Sequence, residues 1–207
     1  MENLDLLYDH YKDSFNLSKK EQEKRNKNFV ILCLLEALAF MSLLNSNKAY
    51  EVFNNIINYK IENPIPFSNT VLQTLLWILI LYFSIRYCQN NIYIERQYDY
   101  IHNLEKTISS KIPDYDFNRE STNYLSKYPF VLEFIGFFYT WIIPILFISI
   151  NSIRCIIEIK NLSFNISLIL DVLMYIATVI LTISYIVFMK SDFIEKKIKK
   201  INKWSKD

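Results

Sequence analysis

Three carboxylic acids lie within apolar segments of the sequence, where an ionised side chain is energetically costly. Glu36 lies in the first apolar segment, Glu133 near the start of the third, and Asp171 near the start of the fourth. Acidic residues at such positions mark an ion pathway, a proton-linked site or an internal ion pair. The chemistry that they indicate is the binding of a cation or a proton inside a membrane.

Each acid has an alternative interpretation. Arg86 ends the second apolar segment at about the depth of Glu133, so an ion pair between Arg86 and Glu133 is favoured there. Asp171 lies about one turn from the end of its segment and is predicted either to line a pore or to reach water. Glu36 lies deepest, and no basic residue is expected at its depth. Its carboxyl group is therefore either protonated or faces the axis of an oligomer. The sequence does not favour one of these alternatives over the other.

The elements that must position these acids are predicted to be membrane-spanning helices. Of the 207 residues, 52% are hydrophobic, and the charges are gathered into blocks between the apolar segments. A span needs about 20 apolar residues to cross a hydrocarbon core of about 30 Å. The pattern predicts an all-α integral membrane protein with four spans arranged as two hairpins, at about 29–45, 69–88, 129–150 and 166–189. They form a membrane domain over residues 29–190, in which Pro144 is expected to kink the third span.

The amino-terminal segment 1–28 is predicted to form cytosolic helices. One face of the first helix carries apolar residues at helical spacing, namely Leu4, Leu7, Tyr11 and Phe15. Residues 16–18 interrupt this pattern, and Ser18 with Glu21 matches a capping box that would begin a second helix. We therefore expect two helices before the first span.

The segment 89–128 is predicted to be a cytosolic stalk, since the second helix continues without Gly or Pro until Pro113. A narrow apolar stripe runs along it, formed by Ile94, Ile101, Leu104 and Ile108. The isoleucines are seven residues apart, which is typical of a coiled-coil interface. The stripe predicts contact with a second copy of the chain or with a cytosolic protein partner.

The charges predict the orientation in the membrane. The amino-terminal segment, the middle segment with Arg86, and the carboxyl-terminal tail with Lys190 carry 6, 6 and 7 Lys or Arg residues, whereas the loops 46–68 and 151–165 carry 2 each. Basic residues favour the cytosolic side. Both termini and the stalk are therefore predicted to be cytosolic. The basic tail, 191–207, is amphipathic and suited to an anionic membrane surface.

Several function classes are disfavoured by what the sequence holds. The single glycine, Gly136, cannot form the glycine-rich loops that bind phosphates or dinucleotides. His102 lies between Asp99 and Glu105, but one histidine with two carboxylates is a weak metal signal. No nucleophile has a matching base, as a catalytic triad would need. We expect neither enzymatic activity nor a cofactor, and we expect anionic lipid rather than nucleic acid to contact the tail.

Two cytosolic termini, a polar helix before the first span and a charged helix between hairpins resemble small bacterial multi-span proteins of the plasma (inner) membrane. Among these are the SLATT-type effectors of anti-phage defence, in which an oligomer opens and depolarises the cell. SLATT-type proteins more often have two spans, and no diagnostic motif matches. The resemblance implies a homo-oligomeric, ion-conducting or membrane-permeabilising effector. The alternative is a non-catalytic scaffold or assembly factor that acts through stalk residues 93–112.

Overall fold

The computed structural model is built from long helices, and it describes residues 2–44, 51, 55, 68–112, 130–161 and 165–204. We number the helices α1 to α5. A π-helical segment, Phe138–Ile142, joins α3 to α4. The helices are α1 (Glu2–Leu44), α2 (Asn69–Lys111), α3 (Phe130–Phe137), α4 (Ile143–Asn161) and α5 (Ile166–Trp204).

Four stretches of helix are long and apolar enough to cross a membrane. They are Leu4–Leu43, Thr70–Lys111, Phe134–Lys160 and Ile166–Ser191. Large apolar side chains are exposed along them, including Leu34, Leu38, Val71, Ile78, Ile153, Ile156, Ile176, Ile180 and Val187. Exposed apolar residues on this scale suit a lipid environment rather than water. The described residues confirm the predicted all-helical class with four helices long and apolar enough to cross a membrane, whereas their arrangement as two hairpins stays a prediction.

The first helix is longer than the sequence pattern predicts. The expected interruption at residues 16–18 is wrong, because α1 is continuous from Glu2 to Leu44 and Ser18 is buried within it. A 43-residue helix is about 65 Å long. Since the hydrocarbon core of a bilayer is about 30 Å thick, much of α1 extends beyond it. The same holds for α2, which also has 43 residues.

The third apolar segment also continues further than predicted. We expected a loop from residue 151, but α4 remains helical to Asn161. No Gly or Pro follows Pro144 in this stretch, and its polar and apolar residues lie on different faces of the helix. The polar residues of this stretch favour a loop by composition, whereas in the structure they form the inner face of a helix.

The chain divides into two compact units. Unit 1 comprises Met1–Asn28 and Arg86–Thr140, and unit 2 comprises Phe29–Ile85 and Trp141–Asp207. The long helices contribute residues to both units. Unit 2 contains the deep acidic residues that the sequence singles out, Glu36 and Asp171.

Unit 1 contains an antiparallel pair of helices. The Tyr11 hydroxyl donates to Glu105 Oε1 at 3.2 Å, and Gln22 Nε2 donates to the Tyr98 hydroxyl at 3.1 Å. Near the end of the pair, Asn28 Nδ2 donates to Asn90 Oδ1 at 2.9 Å. Residue numbers rise along α1 while those of their partners fall along α2, so the two helices run in opposite directions.

The apolar stripe of α2 is covered by α1 of the same chain. Tyr11, Ile101 and Ile108 form a buried cluster, against which Leu4, Leu7, Leu104 and Ile112 pack. Ile94 is also buried. Residues of both predicted faces therefore pack together within unit 1. The predicted contact of the stripe with a second copy of the chain or with a cytosolic partner stays a prediction.

The π-helical segment precedes Pro144, which has no backbone N–H. In π geometry the Tyr139 carbonyl would accept from the nitrogen five residues later, which belongs to Pro144. That bond cannot form. The Tyr87 hydroxyl of α2 donates to the Tyr139 carbonyl oxygen instead, at 2.6 Å. A side chain of unit 1 thus supplies the donor that the proline removes.

The carboxyl-terminal tail is helical as far as Trp204 and continues α5 without a break. Its side chains from Asp192 onward lie outside the described residues. The predicted contact of this tail with anionic lipid stays a prediction.

Truncating the buried stripe should loosen unit 1 selectively. Ile101 is 1% exposed, and an Ile-to-Ala change at a buried site costs about 2–5 kcal/mol. We expect Ile101→Ala to speed amide hydrogen exchange in residues 4–28 and 94–111, while the exchange of α5 is unchanged. The exposed Lys106→Ala is the control. Equal protection in both variants would contradict the observed packing.

Candidate functional site: a polar core within unit 2

The inner face of α4 carries three buried polar residues. Asn151, Arg154 and Glu158 are spaced by three and four residues, which places them on one side of the helix. The opposite side presents Ile153 and Ile156 outward. This inverted pattern, polar inside and apolar outside, is expected for a helix whose surroundings are lipid.

Arg154 and Glu158 form a buried ion pair. Arg154 Nε donates to Glu158 Oε1 at 2.9 Å, and the two side chains are 1% and 2% exposed. The other carboxylate oxygen, Oε2, accepts from the indole nitrogen of Trp77 at 2.8 Å. The guanidinium carbon also lies 4.2 Å from the centre of a Trp77 ring, within cation–π range. Arg154, Glu158 and Trp77 are therefore mutually bound.

The same guanidinium also interacts with other elements of unit 2. Its Nη2 donates to the backbone carbonyl of Gln73 on α2 at 3.1 Å. It lies within electrostatic range of two further carboxyl groups, Glu36 on α1 and Asp171 on α5. Arg154 consequently connects four helices of unit 2 through hydrogen bonds or charge.

Glu36 has a direct hydrogen-bond partner. Asn151 Nδ2 donates to Glu36 Oε1 at 2.6 Å and also to the Phe147 carbonyl at 2.9 Å. Glu36 is only 5% exposed within the single chain. We expected no basic residue at its depth, and that expectation is wrong, because Arg154 was assigned to an external loop. The burial favours a carboxyl group that is satisfied inside the chain over one that faces an oligomer axis.

Asp171 is buried as well, at 2% exposure, so it does not reach water as one interpretation predicted. It lies beside the Thr74 hydroxyl of α2 and within electrostatic range of Arg154. Its position on α5 follows from the spacing of that helix's buried face, which also carries Leu168, Thr178, Thr182, Tyr185 and Met189. We call the group formed by Glu36, Trp77, Asn151, Arg154, Glu158 and Asp171 the polar core.

Hydroxyl groups on α4 and α5 bond mostly to carbonyls of their own helix. Ser152 Oγ lies 2.7 Å from the Ile148 carbonyl and 2.9 Å from the Tyr175 hydroxyl, which joins α4 to α5. Thr178 and Thr182 donate to carbonyls four residues earlier, at 2.9 and 2.8 Å. Such bonds satisfy a hydroxyl without water. They hold these side chains in place without adding charge.

The remaining predicted site residues lie in unit 1. Arg86 is exposed, and its Nη1 donates to Gln89 Oε1 at 3.3 Å. The Glu133 side chain lies outside the described residues, so the Arg86–Glu133 pair stays a prediction. His102 is partly buried, and no three His, Cys, Asp or Glu side chains are grouped as metal ligands within the described ranges.

Sequence reasoning missed four members of the polar core, namely Trp77, Asn151, Arg154 and Glu158. A signal for three of them was present. Asn151, Arg154 and Glu158 share one helical face, while isoleucines at 153, 156 and 159 occupy another. A spacing of three or four residues is typical of a helix with a polar stripe on its inner face. This spacing is a stronger signal than the presence of charged residues, which alone favours a loop. The sequence carries no comparable signal for Trp77, because a tryptophan in an apolar segment usually faces lipid or packs in an apolar core.

The polar core holds more acids than bases. Glu36, Glu158 and Asp171 share one cation, Arg154, which is hydrogen-bonded to Glu158. Uncompensated charge is strongly disfavoured in a low-dielectric interior. The core must therefore take up positive charge, as protons or as cations, to approach neutrality.

Comparisons of the chain with protein-family models, with curated proteins and with solved structures gave no match. The class that the fold defines is a multi-pass α-helical membrane protein with a buried charged core.

Removing either partner of the central ion pair should destabilise unit 2. Loss of one member of a buried pair costs about 3–5 kcal/mol, because the other is left uncompensated. We expect Arg154→Gln to cost more than Glu158→Gln, since it leaves the three carboxyl groups of the polar core without a cation among the described residues. The double variant should cost less than the sum of the single changes.

Unfolding of the purified variants in detergent, followed by circular dichroism, measures these differences. Lys160→Gln, at an exposed position of the same helix, is the control and should match the parent. Additive effects of Arg154→Gln and Glu158→Gln would contradict a direct interaction between the two side chains.

Proposed function

We propose that the protein conducts cations or protons across a membrane, with the polar core as part of the pathway. The observation that supports this is the excess of buried acids over bases on helices of membrane-spanning length. A buried network that served stability alone would be expected to balance its charges. An acid excess instead provides sites at which positive charge can bind and leave.

We propose a positive ion because the guanidinium group of Arg154 is already occupied by hydrogen bonds within the chain. A free guanidinium would attract anions, but this one donates to Glu158 and to the Gln73 carbonyl. Glu36 and Asp171 remain as the groups without a direct basic partner among the described side chains. Carboxyl groups in such positions favour cations in a conducting pathway.

The pathway that we propose lies within one chain, since the carboxyl groups of the polar core are buried in a single copy. A homo-oligomer is compatible with this arrangement but is not needed for it. The effector role in anti-phage defence rests on the resemblance to SLATT-type proteins and stays a prediction, as does the scaffold alternative. Placement in the plasma membrane is proposed on the same basis.

We propose that both termini and residues 89–128 face the cytosol. The imbalance of Lys and Arg residues supports this orientation, since 19 of the 23 fall in these segments together with the bordering Arg86 and Lys190. A reporter that is active only in the cytosol should give signal when fused to either terminus. A signal from one terminus alone would contradict the even number of spans, and a signal from neither would reverse the orientation.

Purified protein in planar bilayers should carry a cation-selective or proton-selective current. We expect Glu36→Gln and Asp171→Asn each to change the conductance or the selectivity several-fold, because each removes a titratable acid from the polar core. Glu23→Gln, on the exposed surface of α1 in unit 1, is the matched control and should leave the current unchanged.

Each variant should be shown to elute as the parent does in size-exclusion chromatography before its current is compared. Absence of current from folded protein over a range of voltages and lipid compositions would overturn the proposal. A current that neither acid affects would move the pathway away from the polar core.

A further inference from the structure

The contacts of Asn151 determine which end of its amide faces Glu36. A carbonyl oxygen only accepts hydrogen bonds, so the atom that bonds the Phe147 carbonyl must be the amide nitrogen. The same nitrogen donates its second hydrogen to Glu36 Oε1 at 2.6 Å. Both amide hydrogens are therefore in use, and the amide orientation is not interchangeable.

Two acceptor atoms of this pair have no hydrogen-bond partner within the described part of the chain. They are Glu36 Oε2 and Asn151 Oδ1, and both are buried. Two acceptors cannot bond to each other, and leaving both without a donor is costly in a low-dielectric interior. One proton on Oε2 changes this, because it turns a carboxylate oxygen into the kind of donor that Oδ1 lacks.

The charged surroundings of Glu36 allow this proton to stay. Among the described residues, the ionisable groups that interact with Glu36 are Cys33 on α1 and Arg154 on α4. Arg154 attracts an ionised Glu36, but its charge is shared with Glu158, which it contacts directly, and with Asp171. Glu36 therefore lacks a cation of its own.

We propose that Glu36 is a proton-binding site, in which the neutral carboxylic acid is held by the Asn151 amide. This inference rests on the proposed conduction through the polar core and names the proton as the ion that Glu36 exchanges. One proton binds to or leaves Glu36 Oε2, exchanging with water, and no other covalent bond changes. When the proton leaves, the core becomes more negative by one charge, and Arg154 is the nearby group that compensates for it.

Infrared spectroscopy of the full chain in lipid bilayers tests this directly. A neutral carboxylic acid has a C=O stretching band that is separate from carboxylate bands and shifts in D₂O. We expect such a band at neutral pH in the parent protein and its loss in Glu36→Gln. Glu23→Gln, which changes an exposed acid, should retain it. Loss of a carboxylate band in Glu36→Gln, with no loss of an acid band, would overturn the inference.

Glu36→Gln should also fold, because the glutamine amide offers an acceptor oxygen and a donor nitrogen where the neutral acid offers an acceptor oxygen and a donor O–H. A second variant covers the case in which it does not. Asn151→Leu keeps the carboxyl group but removes its amide partner, so the acid band should move to higher frequency. An unmoved band in this variant would show that Asn151 does not hold the acid.

The infrared band tests the proton site and the current tests conduction, so either proposal can fail without the other. A Glu36-dependent acid band in a protein that carries no current would support the proton site and count against conduction. A current that is selective for metal cations over protons, without a Glu36 acid band, would support conduction and overturn the proton site.

Discussion

The arrangement of unit 2 depends on the burial of a guanidinium group among membrane-length helices. An uncompensated charge in that environment is strongly destabilising, so the helices must bring acceptors to Arg154. Glu158 supplies one from the same helix, and Gln73 supplies a backbone carbonyl from α2. Trp77 joins both partners, since its ring lies beside the guanidinium and its nitrogen bonds the Glu158 carboxylate. These contacts restrict how α2 and α4 can pack.

The interiors of the two units are stabilised by different interactions. In unit 1, an apolar stripe on α2 is covered by the apolar face of α1, as in a coiled coil of a water-soluble protein. In unit 2, many large apolar side chains are exposed, and polar side chains are buried alongside apolar ones. The hydrophobic effect stabilises the packing of unit 1. In unit 2 the buried polar groups must also pair with one another, because lipid offers no hydrogen bonds. One chain uses both rules, and α1 and α2 contribute residues to both units.

The fold was more predictable than the site. Apolar segments of about 20 residues predict spans, and each of the four predicted spans overlaps a helix that is long and apolar enough to cross a membrane. The limits of helices were predicted less well. Residues 16–18 interrupt an apolar pattern, yet packing against α2 keeps α1 continuous there. Residues 151–161 are rich in polar residues, which favours a loop, although these polar residues share one face of α4. At residues 16–18 tertiary contacts outweighed the local signal, whereas at 151–161 the local periodicity itself indicates a helix.

The sequence alone determined the class of protein and identified Glu36 and Asp171 as costly residues in apolar surroundings. It also identified the isoleucine stripe, because residues seven apart in the sequence lie on the same face of a helix. Only the tertiary structure determined which residues contact these acids and the stripe. Glu36 and Asn151 are 115 residues apart in the chain, and the stripe is covered by a segment that precedes it. Periodicity is a local property that shows which face is buried, whereas the choice of partner depends on which helices become neighbours.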